Sequence, residues 1–114
     1  MCPIYSMTFY LVKATPKGNI GELREDIDNG MISNLVPFGK SLQYSLENAK
    51  LDNGKYAVWI EEDYCSPSLA MEREVVLDRF FDNIKVEVVS SEEDGWSKIR
   101  DRQPFWTILS KLRE

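Results

Sequence analysis

Apolar and polar positions alternate along the chain with two different periods, and the change of period marks the elements. From Tyr5 to Ala14 the period is two, with Met7, Phe9 and Leu11 on one face and Thr8, Tyr10 and Val12 on the other. Both faces are apolar, which predicts a central strand closed by a turn at Thr15-Pro16-Lys17-Gly18. Ile20, Leu23, Ile27 and Met31 then recur at helical spacing. They predict a helix over 20–33, with Asn19 as its N-cap, Glu22 in its first turn and Gly30 near its end. Pro37-Phe38-Gly39 reads as a loop. Leu42, Tyr44 and Leu46 alternate with Gln43, Ser45 and Glu47, the pattern of a half-buried strand. Asp52-Asn53-Gly54 signals a hairpin turn, and Lys55 to Glu62 a third strand. Ser66-Pro67 reads as the start of a helix that runs to Asp82 and buries Leu69, Val76, Leu77, Phe80 and Phe81. Ile84, Val86 and Val88, alternating with Lys85 and Glu87, predict a fourth strand. Ser90 to Gly95 reads as an acidic loop, and helix resumes at Trp96. Pro104 opens a last helix with Phe105, Ile108, Leu109 and Leu112 on one stripe.

The element order is β-α-β-β-α-β followed by helical segments. It predicts an α+β fold with a predominantly antiparallel four-stranded sheet and an additional C-terminal helical segment, in one domain over 1–114. The order is similar to that of ferredoxin-like domains. That resemblance implies that strand one lies between strands three and four, with helices on one face. It names no function, because the arrangement hosts many.

Composition bears on chemistry more than on fold. The 114 residues are 43% hydrophobic and 29% charged, with thirteen aromatic rings, the balance of a globular domain. There is no histidine, so a Ser-His-Asp or Cys-His nucleophile, a histidine general base and a His-ligated zinc are all excluded. The two cysteines, Cys2 and Cys65, form no CxxC pattern, which is ordinary intracellular usage. The predicted topology places them near each other, so a bridge and a merely incidental pair are both open, and Cys65 stands just before a predicted helix start. The amino-terminal segment lacks a basic region and a cleavage site, and no apolar run approaches the length of a membrane span. A cytoplasmic location follows as the expectation.

The net charge of −5 is unevenly placed: residues 1–60 balance to zero, and 61–114 carry the whole excess. Much of it lies in two triplets, Glu61-Glu62-Asp63 and Glu92-Glu93-Asp94, each following a predicted strand. Strands three and four would be parallel and one strand apart, so the triplets would meet at one sheet edge about 10 Å apart. An anionic patch there could take Mg²⁺, Ca²⁺ or a basic partner, although the spacing matches no calcium loop; the alternative is two solvated loops. These six residues are the candidate binding site.

Other constellations carry less. Lys98, Arg100, Arg102, Lys111 and Arg113 form a basic cluster that could meet an anion or balance the acidic loop. Phe9, Tyr10, Tyr56 and Trp59 could place rings on a sheet face, and Gly54-Lys55-Tyr56-Ala57-Val58-Trp59 is similar to the strand-three motif of RNA-recognition sheets. The basic-Gly-aromatic opening is not reproduced, and the negative charge opposes phosphate, so nucleic acid is disfavoured. Gly18 and Gly21 lack the rest of a phosphate loop. Thr8, Tyr10 and Val12 with Ala57 or Trp59 are too apolar to stay open, so either the C-terminal helices or a second copy covers them. Helix docking, and hence a monomer, is favoured over a homodimer, because the last helix needs a surface of its own.

No catalytic residue, metal ligand or cofactor is assigned. The expected function is a non-catalytic binding or protein-interaction module with a protein or small-molecule partner. The alternatives are a small enzyme using carboxylate or divalent-metal chemistry at the acidic edge, and a small-molecule-sensing regulatory domain.

Overall fold

The computed structural model describes residues 8–63 and 69–112. Ten elements follow in order. Strand β1 is Thr8–Pro16, helix α1 Ile20–Asp28, helix α2 Gly39–Glu47, strand β2 Lys50–Asp52 and strand β3 Tyr56–Asp63. Helix α3 spans 70–80 and widens to a π turn at Arg73–Leu77. Strand β4 is Phe81–Val89, helix α4 Glu92–Lys98, strand β5 Gln103–Pro104 and helix α5 Phe105–Leu112.

The five strands form one antiparallel sheet in the order β4-β1-β3-β2-β5. The α+β class therefore stands, but the four-stranded β-α-β-β-α-β ferredoxin-like expectation does not. Two findings overturn it: the segment expected as strand two is helix α2, and a fifth strand, absent from the expectation, closes the sheet beyond β2. Strand β1 does lie between β3 and β4, and both run antiparallel to it.

The error at 42–46 has a physical cause. Leu42 and Leu46 satisfy a period of two, but they are also i and i+4 on a helix. Gly39 and Ser45 complete the same buried face. Helix α2 sits where a longer second strand would have lain. On β3, strand β2 pairs only with Tyr56 to Val58, so among the described residues the edge of β3 beyond it has no strand neighbour. There Ser45 Oγ donates to the Ile60 carbonyl at 2.6 Å, filling an acceptor that a ladder would have filled. Ser45→Ala leaves that buried carbonyl unpaired and is expected to cost about 1–3 kcal/mol in urea denaturation.

The hairpin turn forms as expected. Asn53 and Gly54 both have positive φ, and Lys55 N–H donates to the Asp52 carbonyl at 3.2 Å. The Asp52 carboxylate also receives Lys13 Nζ at 3.0 Å and Arg102 Nε at 2.9 Å, tying the turn to β1 and to the chain before β5. The Lys13 hydrogen bond is the main reason its carboxyl is held below the ordinary range.

Pleating divides the core in two. Val12, Ala14, Ala57 and Trp59 face α1 and α3, whose Ile20, Leu23, Ile27, Val76, Leu77 and Phe80 close the larger cluster. Phe9, Leu11, Val58 and Ile60 face the other way and pack with Val89, Trp96 and Ile99. The face expected to await the C-terminal helices is thus the main core, and α4 covers the opposite one. Helix α5 joins the main core as expected, with Phe105 buried in the larger cluster, Trp106 and Leu109 packed against it, and Trp106 Nε1 donating to the Leu46 carbonyl at 2.7 Å.

Smaller differences have local reasons. Helix α1 ends at Asp28, and Gly30 follows with φ of +78°, leaving Met31 exposed beyond the helix. The Asn19 side chain does not cap α1; it donates instead to the Arg79 carbonyl at the end of α3. Leu69, Val76, Leu77, Phe80 and Phe81 are buried as expected. Ser66-Pro67, Cys2 and Cys65 lie outside the described residues.

Candidate functional site

The first acidic triplet lies within β3, not after it, and the pleat separates its members. Glu61 and Asp63 share the face of Trp59 and are buried in the main core. Glu62 lies on the opposite face, with Ile60.

The second triplet is the first turn of α4 rather than a loop. Ser91 is its N-cap: its Oγ accepts from Asp94 N–H at 3.0 Å, and three acidic side chains stand at the positive end of the helix. The signal was present as Ser91-x-x-Asp94, a close variant of the capping box. Gly95 lets this helix lie on the sheet, because a Cβ there would come within 2.7 Å of the Ile60 side chain.

One carboxylate from each triplet reaches a common place. Glu62 and Glu92 line an open cleft of about 280 Å³ together with Phe9, Ser41, Tyr44, Ser45 and Ile60. Tyr44, 56% exposed, meets Trp96 edge to face at 6.3 Å. Of the remaining candidates, Glu93 is exposed, Asp94 is half-buried at the cap, and Glu61 and Asp63 are sealed in the core. Ser41 and Tyr44 were not among the expected site residues, because α2 was read as a strand, and Phe9 was considered only as a ring of a nucleic-acid platform.

The inward carboxylates make a second, enclosed group. Trp59 Nε1 donates to Glu61 Oε1 at 3.0 Å, while Glu61 Oε2 is buried without a hydrogen-bond partner. Asp63 Oδ2 accepts from Leu69 N–H at 2.8 Å, holding a leucine whose φ is +58°. Glu72 of α3 is also buried. Burial drives the Glu61 carboxyl well above the ordinary range, and the charge of Glu72 adds to it. Burial likewise pushes Glu72 up to about 7, against a backbone hydrogen bond that opposes the rise. Among the described residues, no group of three or more carboxylates or thiols is arranged to hold a metal ion.

The other constellations do not assemble. Trp59 is fully buried and packs against Phe81 at 5.1 Å, whereas Phe9 lies on the opposite face, so the four rings form no shared open platform. Arg102 is engaged with Asp52 rather than with an acidic triplet. The turn at Gly18 and Gly21 opens on Glu22 and Glu25, carboxylates that repel phosphate. Among the described residues, no helix is long and apolar enough to cross a membrane. No protein-family model, curated protein or solved structure matches the chain.

Proposed function

We propose that the protein is a non-catalytic binding module that takes a cationic group of a partner protein, a lysine or arginine side chain, into the cleft between Glu62 and Glu92. The observation that carries this reading is the convergence of one carboxylate from each acidic triplet beside the rings of Phe9 and Tyr44. Carboxylates attract the charge and aromatic faces attract the same cation, which is the chemistry of ammonium and guanidinium recognition. The size fits as well: about 280 Å³ lies just below the range for small-molecule pockets and suits one side chain. The chain's excess negative charge falls in the half that contributes both carboxylates, which would steer a basic partner toward the cleft. A cytoplasmic setting is part of the proposal, on the evidence of two cysteines without a paired motif.

The reading as a carboxylate or metal enzyme has less support, since the outward carboxylates of the cleft number two and the inward ones are sealed from it. Titration of a short lysine- and arginine-containing peptide, followed through backbone amide shifts, tests the proposal. Saturable shifts confined to Ser41, Tyr44, Glu62 and Glu92 are expected. Shifts scattered over the whole acidic surface, or none, would count against it.

A further inference from the structure

The two edges of the sheet are finished differently. At one edge β2 and β5 are three and two residues long, and the Ser45 hydroxyl of α2 fills the open carbonyl of β3. At the other edge β4 is nine residues long, and among the described residues no element pairs with its outer side. Its residues 85–88 are exposed, with Val86 at 40% and Val88 at 66%. An exposed edge of this length is a template for a further strand.

The sequence of that edge specifies the strand it fits. The irregularity in β4 falls between Asp82 and Lys85, where Asn83 has a φ of +53°, and Lys85 to Val89 pair regularly with β1. Ile84-Lys85-Val86-Glu87-Val88 is self-complementary about Val86. When two such segments run antiparallel about a two-fold axis at Val86, Lys85 of each stands opposite Glu87 of the other. Ile84 stands opposite Val88, and Val86 opposite itself. Directly opposed residues share a face, so the apolar row falls on the side of the larger core and the charge pairs on the side of α4. Within one chain Lys85 is opposed by Lys13, which is engaged with Asp52, and among the described residues neither Lys85 nor Glu87 takes part in an ion pair. A second copy supplies the opposite charge that the chain itself withholds.

We infer that β4 is a homodimerisation edge, with two copies joined by antiparallel β4–β4 pairing in the register centred on Val86. The dimer leaves the Glu62–Glu92 cleft outside its contact, since that cleft is lined by β1, β3, α2 and α4 and by no residue of β4.

Sedimentation equilibrium over a wide concentration range tests it, with circular dichroism to confirm folding of each variant. The wild type is expected to show a reversible monomer–dimer equilibrium. Lys85→Glu and Glu87→Lys each place like charges opposite one another twice per dimer, and each is expected to weaken association about tenfold. The double variant Lys85→Glu/Glu87→Lys restores it, and so does mixing the two single variants. A wild type that stays monomeric throughout, or a dimer whose strength is unchanged by either single substitution, would overturn the inference.

Discussion

Replacing Glu61 by glutamine is expected to lessen the stability that the protein loses as the pH rises out of the mildly acidic range. Glu61 is wholly buried with one oxygen unpartnered, and Glu72 is buried beside it on α3. Both hold their protons more tightly when folded than when unfolded, where a glutamate titrates near 4.5. A raised acid stabilises the fold fully below the unfolded value and loses that contribution as pH climbs through the folded value. For Glu72, lifted to about 7, the loss between pH 4.5 and pH 8 is on the order of 3 kcal/mol, and Glu61 acts in the same direction. The native protein is thus most stable in mildly acidic solution. Below about pH 4 the opposite contribution of Asp52, a carboxyl held low, is lost in turn.

In Glu61→Gln the amide oxygen still accepts from Trp59 and the charge is gone. Urea denaturation across pH should show the variant gaining on the wild type as the pH rises above the unfolded value of a glutamate. Glu61→Gln/Glu72→Gln should flatten the profile further. Parallel profiles for wild type and variant would show that these carboxyls do not govern the pH dependence.

Gly39→Ala is expected to destabilise the protein by about 3 kcal/mol, opposite in sign to what helix propensity alone predicts. In an exposed helix interior, alanine exceeds glycine by about 1 kcal/mol. Gly39, however, is buried at the start of α2 against the preceding chain. A Cβ there would run into the Ile32 carbonyl oxygen and stand 2.9 Å from that of Ser33. The opposing atoms are backbone, so no side chain can rotate away, and the cost belongs at the upper end of overpacking. Gly18→Ala is the control: nothing lies within 4 Å of its Cβ position, and no loss is expected. Helix α2 also carries Ser41, Tyr44 and Ser45, so Gly39→Ala should disturb the cleft as well as the fold.

What could be read from the residues divides along physical lines. Strand β1, the Asn53-Gly54 turn and the buried residues of α3 were legible, because long periodic runs and positive-φ turn residues state their structure locally. Leu42 to Leu46 was not, because five residues satisfy both periods, and only the short length of β2 decides for helix. The acidic triplets were legible as a concentration of charge but not as a site. Three adjacent carboxylates look equivalent in sequence, whereas in β3 the pleat sends two to the core and one to the cleft. The position of Trp59, two residues before Glu61, contained that information. A strand boundary drawn at Glu62 concealed it.

The division of labour between inward and outward carboxylates ties the former to stability and the latter to binding. Its most direct test is the affinity for a cationic probe, N-acetyl-lysine methylamide, measured by amide shift titration of wild type, Glu62→Gln, Glu92→Gln and Glu61→Gln. The cleft predicts that Glu62→Gln and Glu92→Gln each weaken binding several-fold, while Glu61→Gln binds as the wild type does. Equal binding by wild type, Glu62→Gln and Glu92→Gln, or a loss in Glu61→Gln as large as theirs, would contradict it.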